Sequence, residues 1–146
     1  MSDNIWVDTK VLLKHANPMD HWIWYGKPPP KPLSFQQWHE LLHTCKPIHT
    51  PVGTDAHWRH HIGRVRALMD TGWDDAIHID VGIPWLGCQP RWIVDDGNHR
   101  LVAAALLQLP HIVCDLTGCV KTLEKMLKVK LQAPAVSTSL SDVSPS

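Results

Sequence analysis

Apolar residues recur at helical spacing in four stretches of the chain and alternate as a strand requires in three others. Trp58, Ile62, Val65, Leu68 and Met69 follow one another at three- and four-residue steps, which predicts a helix over residues 55–71. Gly72 stands where that helix must stop, at a position suited to positive φ. Upstream, Ser34 is a ready N-cap for a shorter helix with Phe35, Trp38, Leu41 and Leu42 on one face, ending near Pro47. Residues 47–55 read as loop. Ile77, Ile79 and Val81 alternate with polar neighbours and predict a strand over residues 76–81. A loop holding Gly82, Pro84, Gly87 and Pro90 leads to a second strand, residues 91–94, and Asp95-Asp96-Gly97 reads as a tight turn. A helix over residues 99–108 stops at Pro110, a third strand covers 112–116, and an amphipathic helix over 118–131 turns Val120, Leu123, Leu127 and Leu131 inward and four lysines outward. This order of elements predicts an α+β class, with a compact mixed sheet flanked by helices.

The flanks differ from this core. Residues 1–33 are rich in Trp and Pro and show no sustained period, and Lys27-Pro28-Pro29-Pro30-Lys31-Pro32 is a stiff polyproline-type spacer. Residues 133–146 are rich in Ser and poor in apolar groups, the composition of a disordered tail. The sequence therefore divides into an irregular segment (1–33), a single core domain (34–132) and a tail (133–146).

Composition fits that reading. With 146 residues and 44% apolar content, the chain can bury about two-thirds of its unfolded surface and fold without a disulfide or a structural metal. Lys+Arg and Asp+Glu each number 14, so bulk charge does not explain binding to a polyanion, and any anion site must be local. The longest apolar run, residues 101–107, is too short for a membrane span, and the polar start Met1-Ser2-Asp3-Asn4 does not read as a signal peptide. The expected location is the cytoplasm, with no membrane partner. Cysteines 45, 88, 114 and 119 form no CxxC pair and are expected as reduced core or surface thiols, with Cys114 and Cys119 read as structural. The chain carries eight Trp and eleven His, most of the Trp expected in the core.

The candidate chemistry lies at residues 95–100, where a strand ends, a glycine turns the chain and a helix begins at once. A helix start presents unpaired N–H groups and partial positive charge, the geometry that receives anions. Gly97 leaves room for a phosphate to approach the backbone, and His99 and Arg100 fall in the first helical turn, where Arg can grip two phosphate oxygens. Alanines 103–105 allow this helix to pack closely on the sheet.

Asp96-Gly97-Asn98-His99-Arg100, followed by an Ala-rich helix, resembles the signature of the ParB/sulfiredoxin superfamily, in particular its small phage and plasmid ParB-like members. Residues 64–72 and the strand after them are similar to the helix and strand that precede the signature there, and residues 112–116 fit the strand that follows. The resemblance spans about residues 57–118. It implies a sulfiredoxin-like fold and a nucleotide (ATP, ADP or CTP in different branches) with its phosphates on the turn, held by Gly97, Asn98, His99 and Arg100. Arg64 and Thr71 would line the opposite wall, by resemblance to sulfiredoxin.

The departures narrow the activity. Sulfiredoxin has its reactive cysteine where this chain has Asn98, so sulfinic acid reduction is not expected. About thirty residues follow the core, too few for the DNA-binding and dimerisation domains of chromosome-partitioning ParB. Free-serine kinases share the turn but need a carboxylate base, for which Asp95 and Asp96 are the nearest candidates. The leading expectation is a nucleotide-binding protein that hydrolyses or transfers phosphate with Mg²⁺. In it His99, Arg100 and backbone N–H groups stabilise phosphoryl charge, and Asp95 or Asp96 holds the metal or orients the nucleophile. A nuclease acting on DNA in the same pocket is one alternative. A non-catalytic phage or plasmid accessory protein, binding a host partner through its Trp-rich N-terminal segment, is another.

A rival motif lies upstream. His39-Glu40-Leu41-Leu42-His43 has the zinc-protease spacing, and His49 stands where a third ligand would. Lys46 and Pro47 replace the glycine turn the extended motif needs, and a Pro-rich segment precedes it in place of a substrate-binding sheet. An amphipathic helix with two His on its polar face is the favoured account, and no metal ligand is assigned. Finally, His57, Arg59, His60, His61, Arg64 and Arg66 give the second helix a basic face. If that helix flanks the Gly97 turn, His57, His60 or Arg64 would point toward phosphate.

Overall fold

The computed structural model describes residues 4–19, 34–53 and 55–131. The polyproline-type spacer and the tail at 133–146 lie outside the described residues.

Strand alternation works as expected at the centre of the sheet. In the strand His111–Thr117, Ile112, Cys114 and Leu116 are buried while the residues between them face outward. We call this strand β4, because three others precede it: β1 (Asn4–Asp8), β2 (Ile77–Asp80) and β3 (Val94–Asp96). Their order across the sheet is β1-β4-β2-β3. β1 runs antiparallel to β4, β4 parallel to β2, and β2 antiparallel to β3, so the sheet is mixed. Among the described residues five α-helices accompany it: α1 (Thr9–His15), α2 (Phe35–Leu42), α3 (Trp58–Thr71), α4 (Asn98–Leu106) and α5 (Val120–Leu127). Together they form one α+β domain. Among the described residues no helix is long and apolar enough to cross a membrane.

The parallel pairing of β2 and β4 requires a crossover, and α4 supplies it. Leu101 to Leu106 are all buried, because α4 touches α3, α1 and β2 at once. Small side chains at 103–105 make that threefold contact sterically accessible. α2 begins as expected, with Ser34 and Gln37 forming a reciprocal capping box. The loop after α2 is fastened to α3 at several points. Arg66 donates to the carbonyls of Leu42 (3.3 Å) and Cys45 (2.7 Å), and Ile48 donates its N–H to the Gly63 carbonyl. At Gly63 a Cβ would stand 2.3 Å from the Lys46 carbonyl oxygen, so only glycine lets this loop lie against the helix.

Several boundaries differ from the sequence reading. Residues 4–15 are a strand and a helix rather than irregular chain. Ile5 and Val7 are the two buried positions of β1, a pattern too short to stand out, and pairing with β4 is what makes it a strand. Asp8 caps α1 by accepting from the Val11 N–H at 3.0 Å. The second predicted strand begins three residues later than expected, at Val94–Asp96, because β2 pairs through His78 with Asp96 and through Ile79 with Val94. Asp95 and Asp96 are therefore strand residues, and Gly97 alone makes the turn. α3 starts at Trp58, where the His57 ring accepts from the Arg59 N–H. α5 ends at Leu127, since Lys128 adopts a left-handed φ of 58°.

Candidate functional site

Gly97 joins β3 to α4 with φ 105°, a conformation that favours glycine. Its bare Cα also faces the protein: a Cβ would stand 3.0 Å from Cγ1 and 3.2 Å from Cγ2 of Ile77. The glycine is thus explained first by the close passage of the turn over β2, a reason the sequence did not disclose. No side chain caps the start of α4, whose first intrahelical bond runs from the Leu101 N–H to the Gly97 carbonyl. This helix start opens on a cleft of about 420 Å³ between α3 and α4.

The cleft gathers most of the residues expected there. Asp95, Asp96, Gly97, Asn98, His99 and Arg100 line it from one side and Arg64 from the other. Thr71 does not reach it. Its hydroxyl donates to the carbonyls of Ala67 and Gly72, and it sits exposed at the end of α3. His57 and His60 also remain exposed on the outer side of α3. Helical geometry instead turns His61 inward, in step with Val65 and Leu68, and His61 is 1% exposed. Trp73, Asp75, Pro51 and Val52 complete the rim. The sequence signal for His61 was its place on the apolar stripe of α3. The other four come from loops, which carry no periodic signal.

Each polar side chain at the turn already has a partner. Asn98 accepts from the Trp92 indole N–H at 2.8 Å and donates to the Val94 carbonyl at 3.1 Å, locking the turn to the chain before it. Arg100 donates through one nitrogen to the carbonyls of Asp75 and Ala76, each at 2.9 Å, and pairs through the other with Asp96 at 3.2 Å. It is a strut between α4, β3 and the entry to β2, with an edge on the cleft. Arg64 donates to the Ile48 carbonyl at 3.2 Å.

His99 and His61 form a direct imidazole pair, with His99 Nε2 and His61 Nδ1 2.8 Å apart and the rings 13° from parallel. Burial pushes the His99 pKa down to about 3, and the nearby His61, Arg64 and Arg100 add to the effect. His61 is lowered too, chiefly by burial, with a hydrogen bond to the Ala56 backbone opposing the shift and His60 reinforcing it. At neutral pH both rings are uncharged, so positive charge in the cleft comes from Arg64 and Arg100 and from the helix start.

The zinc-type motif is dispersed over the surface of α2. His39 and Glu40 are exposed, and His43 is already the C-cap residue. Among the described residues no three His, Cys, Asp or Glu side chains gather closely enough to hold a metal ion. The cysteines are unlike one another. Cys114 is buried, which raises its thiol to about 12, whereas the exposed Cys119 is the N-cap of α5, and N–H groups of Thr122 and Lys121 lower its pKa. Cys119 is therefore a surface thiol of enhanced acidity.

Compared with models of protein families, with curated proteins and with solved structures, the chain matches none.

Proposed function

We propose that the cleft between α3 and α4 binds a nucleoside di- or triphosphate, with its phosphates at the start of α4, in the manner of the ParB/sulfiredoxin-like proteins that the Asp96–Arg100 segment resembles. The observation that carries this reading is an uncapped helix start opening on a cleft large enough for a phosphate chain, with two guanidinium groups on its walls. Neutral His99 would contribute hydrogen bonding rather than charge. Mg²⁺ would arrive on the phosphates and keep most of its waters, because this ion commonly needs only one or two protein carboxylates. Asp95 and Asp96, with side chains 64% and 77% exposed, would offer one. Bound in this way, the nucleotide could undergo phosphate hydrolysis or transfer through electrostatic stabilisation by Arg64, Arg100 and the helix N–H groups.

The test is thermal unfolding of the full chain with ATP, ADP and CTP, each with and without Mg²⁺, followed by assays of nucleotide turnover and DNA cleavage. A ligand at a hundred times its Kd adds about 2.7 kcal/mol of stability. A stabilising nucleotide supports the reading. No shift at millimolar concentration of any of them rejects it, and cleavage of DNA without nucleotide binding would favour the nuclease.

A second reading, protein-partner binding without turnover, is favoured by a different feature. A 3₁₀ turn at Pro84–Leu86, closed by the bridge between Ile83 and Cys88, exposes Trp85 by 69% and Leu86 by 67%. Large apolar side chains on a pinned turn suit a protein contact. Nucleotide binding with no turnover, lost on addition of such a partner, would support it.

A further inference from the structure

Beside the α3–α4 cleft, whose wall Asp95 also lines, three side chains form a continuous line across three adjacent strands. Asp95 of β3 lies 3.0 Å from His78 Nδ1, and His78 Nε2 of β2 lies 2.7 Å from the Thr117 hydroxyl at the end of β4. Alternation explains why they meet. Ile77 and Ile79 point into the core, so His78 points out, and Leu116 is buried, so Thr117 points out beside it. A register irregularity at His78/Ile79 sets Val94 and Asp96 opposite consecutive β2 residues and leaves Asp95 as the extra residue of β3. Such a bulge re-aims a side chain. The two adjacent carboxylates are thereby divided, Asp95 to His78 and Asp96 to Arg100.

The direction of the hydrogen bonds follows from chemistry. An ionised carboxylate only accepts, so the proton of neutral His78 sits on Nδ1. Nε2 then has a free lone pair, and the Thr117 hydroxyl must donate to it. This is the order of a hydroxyl nucleophile, its general base and the group that orients the base. Thr117 is exposed, so an electrophile can reach its oxygen. His78 is shielded to 28% exposure, which holds the ring in place.

We propose that Thr117 is an activated nucleophile, with His78 as its general base and Asp95 as positioning residue, able to accept an acyl group from a small activated ester. In the first step the Thr117 oxygen bonds to the acyl carbon, its proton passes to His78 Nε2, and the ester C–O bond breaks. The departing alkoxide takes that proton and leaves as the alcohol. Water then attacks the acyl-threonine by the same relay, releasing the carboxylic acid and restoring the hydroxyl.

The experiment treats the full chain with an alkyl fluorophosphonate, which forms an oxygen–phosphorus bond as its P–F bond breaks. The adduct is counted by intact mass and located by peptide mapping. A Cys119→Ser, Cys88→Ser background removes the two exposed thiols as competing nucleophiles. One adduct per chain on Thr117 is expected. Its rate should fall on the order of a hundredfold in His78→Gln, as for loss of a general base, and fall in Asp95→Asn as well. Thr117→Ser should still react, and Thr117→Val should not. Aryl acetate should give a burst of aryl alcohol that the same substitutions suppress. An unmodified Thr117 in the otherwise native chain overturns the proposal whatever the variants do. So does labelling of a folded His78→Gln protein at the unsubstituted rate, which would reduce the line to a cross-strand brace.

Discussion

His99 Nε2 and His61 Nδ1 stand 2.8 Å apart and tie α4 to α3 at the floor of the cleft. The contact requires one ring to donate and the other to accept, so at least one must be neutral. Protonating both would place two cations at hydrogen-bond distance among Arg64 and Arg100.

The pair makes stability depend on pH in one direction. His99 titrates near 6.5 when unfolded and near 3 when folded, so between those values the unfolded chain binds a proton that the folded chain refuses. Stability should be level with respect to this group above about pH 6.5 and decline as the pH falls toward 3, with His61 acting in the same sense. The loss should reach the order of a few kcal/mol, since each tenfold change in proton affinity is worth about 1.4 kcal/mol. Urea unfolding at pH 8, 6 and 4 measures it. His99→Gln should flatten the acid limb, and an equally steep limb in that variant would place the effect elsewhere.

Arg100 is expected to matter for folding as well as for any ligand. Arg100→Ala removes a charged donor from the carbonyls of Asp75 and Ala76 and should cost about 1.5–3 kcal/mol of stability. Nucleotide affinity, where present, should weaken about ten- to hundredfold. Arg100→Lys should recover part of each, because an ammonium keeps the charge but not the planar fork. Chemical denaturation and calorimetric titration separate the two effects. Wild-type stability in Arg100→Ala would remove the strut role.

At Gly97 a β-branched side chain meets two obstacles, a φ of 105° and the side chain of Ile77. Gly97→Val should destabilise by at least about 1–3 kcal/mol from backbone strain alone. Gly97→Ala in an Ile77→Ala background should be milder than the sum of the single changes, because that background lacks both γ carbons the new methyl would meet. Melting temperatures of the four proteins in that cycle give the coupling directly.

Asn98 should act through the turn. Asn98→Ala removes the hydrogen bonds to the Trp92 indole N–H and the Val94 carbonyl and should cost about 1–3 kcal/mol. Nucleotide affinity measured on the folded fraction should change much less than in Arg100→Ala. A larger loss of affinity than of stability would mean that Asn98 contacts the ligand itself.

What the sequence determined on its own were the features written in short range. Ser34 announces the start of α2, the three- and four-residue apolar steps announce α3, the alternation of Ile77 with Ile79 announces β2, and the apolar run at 112–116 announces β4. The strand–glycine–helix passage at 94–100 was legible for the same reason, because caps, turns and periods depend on neighbours within a few residues. Tertiary structure decided the rest. β1 is a strand because β4 offers it an edge about a hundred residues away along the chain. The register between β2 and β3 assigned Asp95 and Asp96 to different partners, and helix packing turned His61 rather than His57 or His60 onto His99. Arg100 met backbone carbonyls at Asp75 and Ala76, and His78 met Thr117 thirty-nine residues downstream. Hydrogen-bond partners of that kind are chosen by register and packing between remote segments, and no local pattern of residue types encodes them.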